Sequence, residues 1–255
     1  MNTLDSRYDC DRALFRAAET GDVDAARVAL ATGANGRALH RGWSALHKAS
    51  AHNSTEVVAL ILDAACDVDL TDNTRCTPLI RACSAGAVDA AALLIDHRAD
   101  LGHVESTGQT PLHCAACCGS APTVRLLLGA EASVDPIDRK SASPLFAACA
   151  GGHLEAAAAL IASGANVAGA RACRQSPLYA ASKAGESEVA DLLLALGADP
   201  NGGSRQARRL PLHVCTSPSV VAVLVEGRAN VNAAAAARPR SPTRACTGRW
   251  TWFAP

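Results

Sequence analysis

The chain has no surplus of charge of either sign: 24 Lys and Arg are balanced by 24 Asp and Glu, for a formal net charge of +0. A field that draws a protein onto nucleic acid or an anionic membrane surface needs such a surplus. Neither is an expected partner, and any argument from charge has to be local. No stretch approaches the ~18 uninterrupted apolar residues of a membrane-spanning helix. The residues from Met1 to Arg12 are polar and lack the apolar core of a secretory leader. The expectation is a soluble protein of the cytoplasm or nucleus. Catalytic signatures are missing as well: there is no Gly-x-Ser-x-Gly elbow, no phosphate-cradling glycine loop and no His-Glu-x-x-His pair. Acid pairs such as Asp22 with Asp24, or Glu186 with Glu188, fall where second helices start, complementing the helix dipole while staying solvated. Neither an intrinsic enzyme activity nor a cofactor is expected.

What the chain has in plenty is repetition. An anchor leucine, preceded by Ser44-Ala45 in one copy and by Thr-Pro or Ser-Pro in the others, recurs at Leu46, Leu79, Leu112, Leu145 and Leu178, always 33 residues apart. A further copy, Pro211-Leu212, arrives 34 residues later, and a degenerate one at Leu14 lies 32 residues before Leu46. A one-residue slip of that kind belongs in a loop. The third residue after each anchor is alanine (Ala49, Ala82, Ala115, Ala148, Ala181), and the fourth is Ser50, Cys83, Ala116, Cys149 or Ser182. Only small side chains are admitted there, as a close helix-to-helix contact requires. Seven residues after the anchor stands Gly21, Asn53, Gly86, Gly119, Gly152 or Gly185, residue types that tolerate the left-handed conformation ending a helix. Short apolar runs follow, Val57 to Leu62, Val88 to Ile95, Val124 to Leu128, Leu154 to Ile161, Val189 to Leu194 and Val220 to Val225, each reading as a second helix.

The period, the alanines and the hexapeptide Thr110-Pro111-Leu112-His113-Cys114-Ala115 resemble the ankyrin repeat. The resemblance implies an all-α solenoid of helix-turn-helix units joined by β-hairpin or loop fingers. The array is placed at residues 9–232 as about seven units, the first and last degenerate, with an N-terminal tail at 1–8 and a low-complexity tail at 233–255. Within the resemblance, an acid belongs seven residues before the anchor and a glycine four before it. The acid survives as Asp72, Glu105 and Asp138 but becomes Arg171, and the glycine survives as Gly42 and Gly108 but becomes Arg75, Ser141 and Arg174. Either those fingers turn differently, or the arginines are retained for contact.

His47, His113 and His213 each follow an anchor leucine, where other units carry Ile80, Phe146 and Tyr179. In the family this histidine bonds a neighbouring hairpin, and copies one repeat apart cannot share a metal ion. The 11 cysteines are odd in number and accompany no leader, so reduced thiols are expected rather than a disulfide framework. Cys114, Cys117 and Cys118 fall on one side of a helix, but zinc would need a fourth ligand and no second Cys or His pair supplies it. No metal site is expected.

The resemblance places partner binding on the concave face of first helices and fingers. The residues expected to carry it are Arg41, Trp43, Lys48, Arg75, Arg81, Lys140, Arg171, Arg174 and Lys183, while Glu56, Asp63, Asp89, Asp96, Glu155, Glu188 and Asp191 fall on second helices. This sorting suggests a non-catalytic adaptor that receives another protein, in particular an acidic segment. Ordinary solvated arginines are the bland alternative. A different reading is a recruiting or regulatory fragment of a larger enzyme or ubiquitin-ligase assembly whose effector is supplied in trans. Nucleic-acid binding through Arg205 to Arg209 lacks interleaved aromatics. The run Val220 to Val225 is apolar throughout and is followed by Ala233 to Ala237 and a basic, Pro-containing stretch. A disordered tail, an array cut short of further repeats, and self-association through an uncapped last repeat are expected, with a monomer if the end is capped.

Overall fold

The computed structural model describes residues 3–169, 175–203 and 209–233, with side chains from Asp9 onward. Thirteen α-helices and one 3-10 turn make up the described chain. First helices are α1 (Thr3–Thr20), α3 (Ala45–Ala51), α5 (Pro78–Ala85), α7 (Pro111–Cys118), α9 (Pro144–Ala150) and α11 (Pro177–Ala184). Each is followed by a second helix: α2 (Val23–Ala31), α4 (Thr55–Asp63), α6 (Val88–Asp96), α8 (Ala121–Gly129), α10 (Leu154–Ala162) and α12 (Ser187–Ala195). In the last unit the 3-10 turn Pro211–His213 replaces a first helix and α13 (Pro218–Glu226) follows. Helix α1 begins inside the segment assigned to an N-terminal tail. The assigned C-terminal tail, from residue 234 on, lies outside the described residues.

Local chemistry explains why each unit starts where it does. Ser44, Thr77, Ser143 and Ser176 sit in extended backbone and accept a hydrogen bond from the amide three residues on, satisfying an otherwise unpaired N–H. Proline in the first turn gives up no bond and fixes φ for the helix. The turn ending each first helix is left-handed: φ is 74° at Gly21, 56° at Asn53, 69° at Gly86, 79° at Gly119, 73° at Gly152 and 91° at Gly185.

Packing runs in two rows. First helices touch first helices along the series α1, α3, α5, α7, α9, α11, and second helices touch second helices from α2 to α13. The anchor leucines from Leu14 to Leu178 are all buried between them, and so are the alanine at the third position and the Ser, Cys or Ala at the fourth. Two of those small residues are Cys83 and Cys149. Burial pushes the Cys149 thiol up to about 12 and the Cys83 thiol well above its ordinary value, so both act as small apolar spacers. Leu212 is only half-buried, and Val221 and Val225 of α13 are exposed, because no described unit packs beyond them.

The fingers are loops more than strands. One isolated bridge pairs His40 with Trp43. Successive fingers are joined by one backbone bond each: the amide of Asn73 donates to Gly42, that of Ser106 to Thr74 and that of Arg139 to Thr107. One bond per neighbour aligns the fingers but builds no ladder.

Candidate protein-binding face

In the second, third and fourth fingers the acid acts as an internal clamp. Asp72 Oδ1 accepts from the amides of Thr74 (2.7 Å) and Cys76 (3.0 Å), Glu105 from that of Thr107 (2.8 Å), and Asp138 from those of Lys140 (2.8 Å) and Ala142 (2.8 Å). Four residues before the anchor the backbone is left-handed whatever the side chain: φ is 90° at Gly42, 62° at Arg75, 85° at Gly108 and 59° at Ser141. Arg75 and Ser141 therefore keep the turn that glycine makes elsewhere, accepting a strain of about 1 kcal/mol each. Among the four fingers described through Ser141, the first differs. Leu39 stands where the acid would be, and His40 and Trp43 exchange both backbone bonds around Arg41 (φ 52°) and Gly42 (φ 90°), a two-residue type I′ hairpin.

Where a histidine follows the anchor, it ties its helix or turn to the segment one unit on. His47 Nε2 lies 2.9 Å from the Cys76 carbonyl, His113 Nε2 3.1 Å from that of Ala142, and His213 Nε2 2.7 Å from that of Ala233. A carbonyl only accepts, so Nε2 carries the proton. Nδ1 then accepts from the backbone N–H of Ser44, Thr110 or Leu210.

Two of the sequence-predicted basic residues converge on one aromatic ring. Arg81 Cζ lies 4.2 Å from the Trp43 ring centroid, and Lys48 Nζ lies 5.8 Å from it. Neither cation is idle. Arg81 donates from Nε to Asp72 Oδ2 (2.8 Å) and from its terminal nitrogen to Thr74 Oγ1 (2.7 Å), while Lys48 pairs with Glu19 at 3.0 Å. Burial pushes the Asp72 carboxyl up, but bonds from Thr74, Arg81 and the Cys76 amide outweigh it and leave it below its ordinary value. Arg81 is thus part of the frame, joining α5, its own finger and the preceding one. The fingertip residues Arg41, Arg75 and Lys140 are exposed, as is Lys183 on α11, and none of the four forms an ion pair among the described residues. Arg171 and Arg174 lie outside the described residues.

Phe15, Arg12 and Arg16 of α1 are not among the residues that the sequence marks for partner binding. Together with Trp43, Arg41 and Lys48 they line a cleft of about 390 Å³ between α1, the first finger and α3. A departure from the family pattern, with Leu39 in place of the acid and an aromatic after the turn glycine, was the available signal. Cys114 is buried with its thiol pushed up to about 11 by burial, whereas Cys117 and Cys118 are exposed. Among the described residues no three His, Cys, Asp or Glu side chains are grouped to hold a metal ion, and no helix is long and apolar enough to cross a membrane.

The sequence model described as ankyrin repeats (3 copies) matches residues 2–72, 60–139 and 134–204, most of the chain. The chain belongs to the ankyrin repeat family. Comparison with curated proteins found no match. Among solved structures it is similar to the human ASB11 ankyrin repeat domain, with a TM-score of 0.69 and 28% sequence identity over 78% of this chain and 94% of that one. Ankyrin repeats mediate protein–protein interaction and are typically non-catalytic, so the clamps and clasps described above serve to hold a surface still.

In this ankyrin repeat protein the clasps also set a pH limit. Burial, opposed by bonds to the Cys76 and Ala142 carbonyls, holds His47 and His113 below their ordinary 6.5. The unfolded chain therefore takes up protons first as pH falls, and the stability due to the neutral rings, fully present above 6.5, is lost as pH drops through their lower folded values. The free energy of unfolding from urea titrations should be flat just above neutrality. Below 6.5 it should fall with a slope of up to about 2.7 kcal/mol per pH unit for two protons, halved by His113→Gln. A profile flat down to about pH 5 would contradict buried neutral imidazoles.

Proposed function

We propose that this chain is a non-catalytic adaptor that receives an acidic segment of another protein on the surface shared by its first helices and fingers. The observation that carries the reading is the sorting of exposed charge between the two rows. Arg41, Arg75, Lys140 and Lys183 are exposed on the finger and first-helix side, whereas Glu56, Asp63, Asp89, Asp96, Glu155, Glu188 and Asp191 are exposed on second helices. Arg27 and Arg125 on second helices and Asp9 and Glu19 on α1 are exposed exceptions, and with a net charge of +0 the finger and first-helix side is the more basic of the two. Arg75 adds support, because it occupies a left-handed position (φ 62°) that glycine fills in the neighbouring fingers.

Capture of cell proteins by the full chain should be compared with capture by a version carrying Arg75→Glu, Lys140→Glu and Lys183→Glu, all at exposed positions. The reading expects discrete partners rich in Asp and Glu to be lost from the reversed chain, and to leave the native one as salt is raised. Identical captured sets would count against it.

A further inference from the structure

We infer that the cleft between α1, the first finger and α3 is the anchor site of this face, and that it takes an aromatic side chain flanked by Asp or Glu on a partner peptide. The inference rests on the adaptor reading above and localises it.

Phe15, His40 and Trp43 give the cleft its aromatic surface, and the Lys48 ammonium stands 5.9 Å from the Phe15 ring centroid and 5.8 Å from that of Trp43. Phe15 and His40 meet at a centroid distance of 4.9 Å and a tilt of 58°, and Trp43 lines the same cleft with Arg81 over its ring. Phe15, His40 and Trp43 are all half-buried, so apolar ring surface stays open to solvent in a concave setting. At about 390 Å³ the cleft is half-open, with a volume in the roughly 300–1,000 Å³ range of ligand-binding clefts. An aromatic or large aliphatic anchor is the group such walls bury best.

The rim is basic. Arg12, Arg16, Arg41 and Lys48 line the cleft against a single acid, Glu19, and Lys48 is already bound to that acid. Three arginines thus stand around the opening with no ion pair among the described residues. Their planar forks suit carboxylates better than any neutral group. The type I′ turn places Arg41 at the tip of the first finger, beside Trp43. The chain's own last residues are of the wrong sign to serve as occupant, since residues 234–255 contain Arg238, Arg240, Arg244 and Arg249 and no acid.

The test uses the full chain and the fluorescein-labelled peptide Asp-Glu-Glu-Phe-Glu-Glu-Asp, read by anisotropy. Trp43→Ala should weaken binding roughly 10- to 100-fold, as loss of a central aromatic does. Arg41→Glu, an exposed change that leaves the walls intact, should weaken it about 10-fold and flatten its salt dependence. Alanine in place of the peptide's phenylalanine should lose about as much as Trp43→Ala. The distal reversal of Arg75, Lys140 and Lys183 should cost less than about threefold. Equal binding of the phenylalanine and alanine peptides, or unchanged affinity in both Trp43→Ala and Arg41→Glu, overturns the anchor site. If the distal reversal alone abolishes binding, the anchor site fails while the adaptor reading stands. If the native chain does not bind the peptide at all, the anchor site falls, and the adaptor reading is then judged by the capture comparison alone.

Discussion

Leu112→Ala is expected to destabilise the protein by about 3 kcal/mol, within the range for deleting a fully buried leucine side chain. Leu112 is 1% exposed and sits on α7, which packs against both α5 and α9. A solenoid has no single core, so each repeat is held by its two neighbours only. A cavity in the middle unit therefore weakens two interfaces at once, and unfolding is expected to separate into two transitions, one for the units before α7 and one for those after it. Urea titration followed by far-UV circular dichroism reads both the loss and the split. Leu212→Ala is the matched control: the same residue type in the last unit, half-buried and followed by no described neighbour, should cost less than about 1 kcal/mol. Equal losses at the two positions would show that the end unit is packed as tightly as the middle one.

Gly119→Val should cost about 2–3 kcal/mol for a different reason. Gly119 has φ 79°, a region that a β-branched residue adopts only under strain. A Cβ there would also lie 2.6 Å from Cγ of the His153 ring, which belongs to the next unit. The ring would have to move, and the bond from His153 Nε2 to the Cys117 carbonyl (3.0 Å) would be lost with it. The result is local strain plus a broken link between repeats, seen as a lower melting temperature with peptide binding at the N-terminal cleft unchanged. Gly129→Val tests the attribution. Gly129 has no atom within 4 Å of a built Cβ, and φ is not positive there, so the change should be close to neutral.

These two changes separate the roles that were legible in the sequence. The period, the anchor leucines, the small residues at the third and fourth positions and the glycine or asparagine at the seventh each report a local requirement: a buried knob, a close contact, a reversal. They are met by the backbone and burial of the units anchored from Leu14 to Leu178, while Leu212 in the last unit is only half-buried. The histidine clasp was legible too, because buried imidazole needs partners for both nitrogens and the hairpin one unit on is within reach. The turn at Arg75 was not: its residue type pointed equally to a changed turn and to an unchanged one, and only the backbone angle of 62° decides. Nor was the state of the basic residues. Arg81 and Arg75 lie six residues apart, yet Arg81 is locked onto Asp72 and Trp43, whereas Arg75 stands exposed at a fingertip.

By itself the sequence determined the architecture of this protein, because an array is specified by rules that act within one unit and between adjacent ones, and such rules repeat at a fixed period. It also assigned each charged residue to a first helix, a finger or a second helix, since position within the repeat does so. The tertiary structure decided which charges are available and where they gather. Phe15, Trp43, Lys48 and Arg81 come from three successive units: Lys48 reaches both the Phe15 and the Trp43 rings, Arg81 covers the Trp43 ring, and Glu19 and Asp72 engage these two cations. That outcome depends on the reach of long side chains across repeat boundaries and on the tighter turn of the first finger, neither of which recurs with the period.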